Sequence, residues 1–258
     1  MNKSFISLIS ASLLTATLAS PVAVLAESNA SSTVMAPTVT CMDRVANFEA
    51  RLERTRAEAD AKLLAARAKA DERIAKTQAD VDTKLETRRA EADAARMQRE
   101  VKQDERVAKN DAQKRAVEYY RVSMSIAIQN RRNVLDAALQ DFRKTQTQAL
   151  AARRTAHDQA INVRRTAVNA AEAAWKQKCN STNKDERTAA NKAFRAALTQ
   201  AQTAYRQATT AANNAYQATM KQAKTTRTAE EVKARTQYQA NAKAARATFL
   251  AAMKAAKK

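Results

Sequence analysis

Residues 127–160 read AIQNRRNVLDAALQDFRKTQTQALAARRTAHDQA, and alanine returns there at every eleventh position. The same interval runs through three series along the chain: Ala46, Ala57, Ala68, Ala79 and Ala90, then Ala116, Ala127, Ala138, Ala149, Ala160 and Ala171, then Ala190, Ala201, Ala212, Ala223, Ala234 and Ala245. Because an 11-residue repeat makes three helical turns of about 3.67 residues, such a stripe stays on one side of a nearly straight or slightly right-handed supercoiled helix. The stretch therefore predicts long helices that pack along a stripe.

Larger apolar residues accompany the alanines at the same interval. Aliphatic residues follow the first two series at Leu52, Leu63, Ile74 and Leu85, and at Val117, Ile128, Leu139, Leu150 and Ile161, while aromatic residues follow the third at Phe194, Tyr205, Tyr216, Tyr238 and Phe249. We interpret the aromatic residues as the packing seam of the last helix. The alternative is a set of stacking platforms for bases or sugars.

The composition favours an all-α fold over a globule. The chain has 258 residues, no glycine and two prolines, whereas a sheet protein needs glycine for its turns and bulges. Hydrophobic residues make up 45% of the chain, but many are alanine and only 4% of residues are aromatic. The stripes can therefore join helices but cannot fill a thick core.

The 11-residue repeat loses phase twice, at residues 109–111 and at residues 179–183, where Asn, Asp and Ser favour turns. These interruptions divide the chain into three long helices, expected at residues 41–110, 111–180 and 181–258. We expect an antiparallel hairpin extended to a three-helix coiled-coil rod built on 11-residue (hendecad) repeats.

A further irregularity falls at residues 225–228 of the third helix. Arg227 stands where the repeat calls for an aromatic residue, and residues 228–231 (Thr-Ala-Glu-Glu) form a capping-box pattern. Two interpretations stay open. The third helix breaks or kinks there, or it continues through one degenerate repeat.

The first 26 residues have the pattern of a secretory signal peptide. Lys3 precedes an apolar stretch broken by Ser and Thr, and the small-residue site Val-Leu-Ala ends at Ala26. Residues 27–40, rich in Ser, Thr and Pro, predict a flexible leader. No segment predicts a transmembrane helix. We therefore expect an exported protein of the periplasm, the cell envelope or the extracellular space.

Cys41 and Cys179 are the two cysteines of the chain, and Asn110 lies midway between them in the sequence. A chain reversal at Asn110 would bring both cysteines to the same end of an antiparallel hairpin, so we predict a disulfide between them. The alternative is two free or intermolecular thiols. One histidine and no paired Cys-x-x-Cys motif argue against a metal site.

Positive charge is concentrated in the second half of the chain. Of the 46 basic and 26 acidic residues, residues 136–258 hold 23 basic and 8 acidic ones. A basic ridge along the second helix supplies candidate polyanion-binding residues: Arg131, Arg132, Arg143, Arg153, Arg154, Arg164, Arg165 and Lys176. The alternative is a basic border beside the apolar stripe. No nucleic-acid-binding motif is present.

Residues 117–128 are apolar nearly all round a helix. We expect the third helix to bury this segment. An oligomer contact or an exposed patch for unfolded client proteins are the alternatives.

Nothing in the sequence indicates an enzyme or a cofactor. There is no glycine-rich phosphate loop, and Asp158 cannot share a helix face with its neighbour His157, the one histidine. We expect a structural or scaffolding rod of the cell envelope. The alternatives are a holdase chaperone and a protein that binds polyanions or anionic membrane surfaces, and self-association is compatible with each.

The repeat resembles known helical repeats in period and composition. Its Ala-rich, charged character is similar to that of late-embryogenesis-abundant proteins and exchangeable apolipoproteins. The leader, the basic charge and the long hairpin resemble the Skp family of periplasmic chaperones, which implies a holder of unfolded clients. No site residue follows from these resemblances.

Overall fold

A computed structural model describes residues 40–107 and 110–256, with backbone alone for residues 103–107. Three long helices make up this part of the chain: α1 (Cys41–Val107), α2 (Asp111–Cys179) and α3 (Lys184–Ala255). No strand occurs among these residues, and the prediction of an all-α fold is confirmed. The signal peptide at 1–26 and all but the last residue of the leader at 27–40 lie outside the described residues.

Polar side chains begin each helix in this chain without glycine. Asn110 caps α2, because its side chain accepts a hydrogen bond of 2.9 Å from the Gln113 amide. Asn183 caps α3 in the same way, at 2.9 Å from the Asp185 amide. These bonds satisfy amide groups that a helix start leaves without partners.

Helix α1 begins with a reciprocal cap. The Thr40 hydroxyl accepts from the Asp43 amide at 3.2 Å, and the Asp43 carboxylate accepts from the Thr40 amide at 2.9 Å. The carboxylate also accepts from the Thr40 hydroxyl at 2.7 Å. These bonds hold the pKa of Asp43 below its ordinary value, with the side-chain bond contributing most.

The chain divides into two compact units, one ending at Lys76 and the other beginning at Thr77. The described part of the first unit, residues 40–76, is the first half of α1. The second unit contains the rest of α1 with α2 and α3. The geometry that bears on function lies within the second unit.

Helices α2 and α3 are antiparallel and closely packed, and close backbone approach between described helices is confined to this pair. The small residues between them are buried alanines: Ala116, Ala127, Ala138, Ala149 and Ala160 on α2, and Ala201, Ala212, Ala234 and Ala245 on α3. Phe142, Ala149 and Met220 form the core cluster between the two helices. Small side chains allow backbones to approach, so alanine sets the short distance between α2 and α3.

Helix α1 presents its alanines differently. Ala79 and Ala90, in the part of α1 within the second unit, are exposed. Leu85, in the same 11-residue series as Leu52, is half-buried. The alanine series of α1 therefore does not form a seam, whereas those of α2 and α3 do.

Helix α3 continues without interruption through residues 225–228. There the Thr225 hydroxyl donates to the Lys221 carbonyl at 3.1 Å, and Arg227 pairs with Glu231 at 2.8 Å, one turn later. Both contacts follow the spacing of an intact helix.

Both cysteines, Cys41 and Cys179, are disulfide-bonded and neither is free. With two cysteines in the chain, the predicted Cys41–Cys179 disulfide is confirmed. None of the helices among the described residues contains an apolar stretch long enough to cross a bilayer.

Candidate functional site: the basic ridge of helix α2

The basic ridge of α2 consists of two columns of side chains that point in different directions. Consecutive residues on a helix lie about 100° apart. Arg131, Arg153 and Arg164 form the first column, and Arg132, Arg143, Arg154, Arg165 and Lys176 form the second. Neighbouring arginines in a doublet therefore reach different partners.

The second column meets aspartates of α1. Arg132 forms two hydrogen bonds with the Asp93 carboxylate, at 2.9 and 2.7 Å. Arg143 forms two with Asp82, at 3.1 and 2.7 Å, and also donates to the Gln78 carbonyl at 3.2 Å. A step of 11 residues forward along α2, from Arg132 to Arg143, thus corresponds to a step of 11 residues back along α1, from Asp93 to Asp82. Bidentate pairs of this kind specify a single register.

One pair reverses the direction of the charge. Arg89 on α1 donates to both carboxylate oxygens of Asp136 on α2, at 3.1 and 2.5 Å. Each helix therefore contributes both cations and carboxylates to the contact. Long side chains span the contact between α1 and α2, which explains why their backbones stay further apart than those of α2 and α3.

The pairs shift the ionisation of their members. The hydrogen bonds from Arg132 hold the pKa of Asp93 below its ordinary value, and those from Arg143 do the same for the pKa of Asp82. The hydrogen bonds to Asp93 raise the pKa of Arg132. Each shift favours the charged form, so the ion pairs persist to lower pH than free aspartates would allow.

The first column lies over aromatic rings of α3. The guanidinium carbons of Arg131, Arg153 and Arg164 stand 5.2 to 5.4 Å from the ring centroids of Tyr238, Tyr216 and Tyr205, respectively. At this distance a cation is attracted to the electron-rich face of the ring.

A swapped pair accounts for the irregularity at Arg227. On α2, Phe142 occupies the place in the repeat where the first column elsewhere has arginine, and on α3, Arg227 occupies the place of the aromatic residue. The Arg227 guanidinium lies 5.6 Å from the Phe142 ring centroid. The loss of an aromatic residue from α3 is therefore compensated by its gain on α2.

Aromatic pairs stand at both ends of this row. Tyr120 meets Phe249 with centroids 5.2 Å apart, and Trp175 stacks on Phe194 at 4.8 Å. The Trp175 indole also donates to the Asn191 side chain at 2.7 Å. Counting the four cation–ring contacts, six ring contacts between α2 and α3 follow one antiparallel register among the described residues. We call these six contacts the rungs of the α2–α3 seam.

The remaining ridge residues also interact within the chain. Lys176 pairs with Glu172 at 3.0 Å, one turn earlier on α2. Arg154 and Arg165 make further contacts of their own. All eight candidate polyanion-binding residues thus have intramolecular partners. The carboxylates opposite Arg132, Arg143 and Lys176 offset part of the positive charge of the ridge, whereas a tyrosine ring does not neutralise the arginine above it.

The apolar segment at 117–128 is divided between core and surface. Val117 and Ala127 are buried as expected, but Tyr119, Val122 and Ile126 are 58%, 52% and 56% exposed. The expectation that α3 buries the whole segment is therefore wrong for these three residues. They occupy one outward face of α2, which is not the face that packs against α3.

Other features offer little for chemistry. An open cavity of about 330 Å³ lies where the start of α2 meets the end of α3, and Arg115, Tyr119 and Phe249 contribute to its lining. Within residues 40–107 and 110–256, no cluster of three or more potential metal ligands occurs. Neither feature brings a nucleophile, a base and an orienting group together.

Comparison with known proteins finds no matching family model, no similar curated protein and no similar solved structure. Function is therefore inferred from the geometry of this chain.

Sequence reasoning missed a second basic surface, on α3. Its members are exposed and stand one, five or nine positions after a seam alanine: Arg195, Arg206, Lys221, Arg235, Lys243, Arg246 and Lys254. Lys224 occupies the same sector but has a contact of its own, so it is not counted among them. We call this surface the α3 basic stripe. The arginine doublets of α2 are more conspicuous, but a search for acidic residues at matching intervals would have distinguished the two surfaces. The aspartates of α1 share the interval of the repeat, at Asp60, Asp71, Asp82 and Asp93, and no such acidic series accompanies the α3 basic stripe.

Proposed function

We propose that the protein is an exported, non-enzymatic helical rod that acts as a structural or scaffolding element of the cell envelope. Its architecture in this proposal is a three-helix antiparallel coiled coil on 11-residue repeats, with the predicted signal peptide directing export. The ridge of α2 serves mainly to fix the register between helices. Polyanion binding by that ridge is the weaker proposal, because its residues already have partners.

The six rungs of the α2–α3 seam are the observation that supports this proposal most. From Tyr120–Phe249 to Trp175–Phe194 they use one interval and one register. Regularly spaced contacts that fix the alignment of two helices over this length are a feature expected of a spacer protein. An enzyme or a small-molecule receptor would instead be expected to interrupt the repeat with a concave, convergent site.

Small-angle X-ray scattering combined with multi-angle light scattering tests the proposal. A helix of 69 residues is about 100 Å long. We expect a monomeric or dimeric rod whose maximum dimension corresponds to one or two such helical lengths. A trimer or larger assembly with a hollow scattering profile would contradict the scaffold and favour a chaperone.

The exposed apolar face of α2 supports a second candidate, a holdase chaperone. Tyr119, Val122 and Ile126 follow one another at helical spacing, so they form one patch. Such a patch on a basic helix could bind unfolded clients by apolar contact. Light scattering of an aggregating outer-membrane protein, with and without the chain, tests this function.

Replacement of the three residues by serine should abolish suppression of aggregation if the patch binds clients. Val163→Ser is the control, because Val163 is 65% exposed on α2 outside the patch. Suppression that survives the triple replacement would remove the support for a holdase.

A further inference from the structure

The α3 basic stripe differs from the α2 ridge in having no acidic partners. None of its seven side chains forms an ion pair with the described residues, and all seven are exposed. Three of the four acidic residues of α3 interact outside the stripe, among them Glu230 with Lys233 at 3.6 Å and Glu231 with Arg227 at 2.8 Å. Glu186 accepts from the Ser181 hydroxyl at 2.7 Å.

The stripe occupies one narrow sector of α3. The first, fifth and ninth positions after a seam alanine lie at roughly 98°, 131° and 164° around the helix from that alanine. No Asp or Glu occupies these positions anywhere along α3 from Asn191 onward. Arg195 and Lys254 are about 90 Å apart along the axis. The result is a long, straight cationic face that is not interrupted by negative charge.

Two aliphatic side chains lie within the same sector. Val232 and Leu250 are 54% and 55% exposed, and they stand at the ninth and fifth positions after a seam alanine. No aromatic residue occupies the sector. Base stacking by a nucleic acid would need aromatic side chains, whereas aliphatic side chains flanked by Lys and Arg suit the interface of a lipid bilayer.

We propose that the α3 basic stripe docks the protein lengthwise on an anionic lipid bilayer. The phosphate groups of the lipid headgroups neutralise the cations, and Val232 and Leu250 enter the interface between them. Negative lipid charge is complementary to a face that the chain itself leaves without carboxylates. This binding adds to the proposed scaffold function, and its failure would leave the rod intact.

Vesicle flotation with the full chain tests the docking surface. The vesicles contain equal amounts of phosphatidylglycerol and phosphatidylcholine, and vesicles of phosphatidylcholine alone serve as the neutral reference. In the stripe variant, Arg206→Gln, Lys221→Gln, Arg235→Gln and Lys243→Gln are combined. Each cation near an anionic surface contributes about fivefold to binding, so the four substitutions together should weaken binding by nearly three orders of magnitude.

The control variant removes the same charge from exposed positions outside the stripe: Lys69→Gln, Lys84→Gln, Lys102→Gln and Lys144→Gln. It should lose much less binding than the stripe variant. Equal losses would show general charge attraction and overturn the proposal. Circular dichroism of both variants should match that of the parent chain. If the stripe variant alone loses helix, the double variant Val232→Ser with Leu250→Ser, which keeps every charge, tests the proposal in its place.

Val232→Ser with Leu250→Ser keeps every charge and tests the lipid assignment. We expect several-fold weaker flotation with anionic vesicles and unchanged binding to a short DNA duplex. Unchanged flotation, or stronger binding to the duplex than to anionic vesicles at equal phosphate and physiological salt, would contradict a bilayer as the partner. Absence of flotation by the parent chain would contradict it as well.

Discussion

Helix α2 has two neighbours within the second unit and holds them by different physical means. Towards α3 it presents buried alanines and ring contacts, and the backbones approach closely. Towards α1 it presents guanidinium and carboxylate groups, as in Arg132–Asp93 and Arg143–Asp82. The first contact depends on the size of small side chains, and the second depends on ionisation. Adjacent residues of one repeat can therefore build a size-limited seam and a charge-dependent contact.

The swapped rung gives the largest expected effect. Phe142 is buried beside Met220, so Phe142→Arg alone should lower the free energy of unfolding by about 3 kcal/mol or more. It also places two guanidinium groups opposite each other. Adding Arg227→Tyr recreates the arrangement of Arg131 and Tyr238 and should recover most of the loss. Urea denaturation followed by circular dichroism measures both variants, and a double variant no better than the single one would contradict the rung assignment.

The alanines of the two contacts should respond unequally to a larger side chain. Ala149→Leu overfills the α2–α3 seam and should cost about 1–3 kcal/mol of unfolding free energy. Ala90→Leu on the exposed face of α1 should cost less than about 0.5 kcal/mol, because leucine and alanine are both strong helix formers. The same denaturation experiment compares them. Equal costs would mean that alanine size does not limit the seam.

A single cation–ring rung should have a smaller effect. Arg153→Gln removes the cation above the Tyr216 ring and should lower the free energy of unfolding by about 0.5–1 kcal/mol. Lys144→Gln, at an exposed position of the same helix, is the matched control. The rung is unimportant for stability if the two variants unfold at the same urea concentration.

The long helices and the disulfide could be predicted from the sequence because they depend on local and covalent rules. Absence of glycine limits turns, and the equal spacing of Cys41 and Cys179 about Asn110 predicts their pairing. Burial of the alanine stripes could not be predicted in the same way. Ala79 and Ala149 occupy similar repeats, yet the first is exposed and the second buried, since alanine is favourable on either face of a helix.

The division of the arginine doublets also required the structure. Arg131 and Arg132 are neighbours in sequence, but one contacts α3 and the other contacts α1. A rotation of about 100° separates their directions, and the phase of that rotation depends on which stripes pack. The arginine doublets make α2 the more conspicuous basic helix, but its charges have partners, whereas the α3 basic stripe has no ion-pair partner among the described residues.

Ionisation controls the α1–α2 contact but not the α2–α3 seam. The lowered pKa values of Asp82 and Asp93 mean that their pairs stabilise the fold above the ordinary aspartate range. That contribution is lost as the pH falls below about 4. The buried alanines and the Trp175–Phe194 stack of the seam, in contrast, contain no ionisable group.

Double electron–electron resonance between spin labels at Lys84 and Lys144, attached to keto side chains introduced as unnatural amino acids, tests this difference most directly. Both positions are exposed, and the stack of Trp175 on Phe194 lets tryptophan fluorescence report on the seam in the same samples. For the Asp82→Asn and Asp93→Asn double variant at pH 7, we predict a broader label distance than in the parent chain, with unchanged Trp175 emission. An unchanged label distance, or a Trp175 emission shift that accompanies the broadening, would contradict the account.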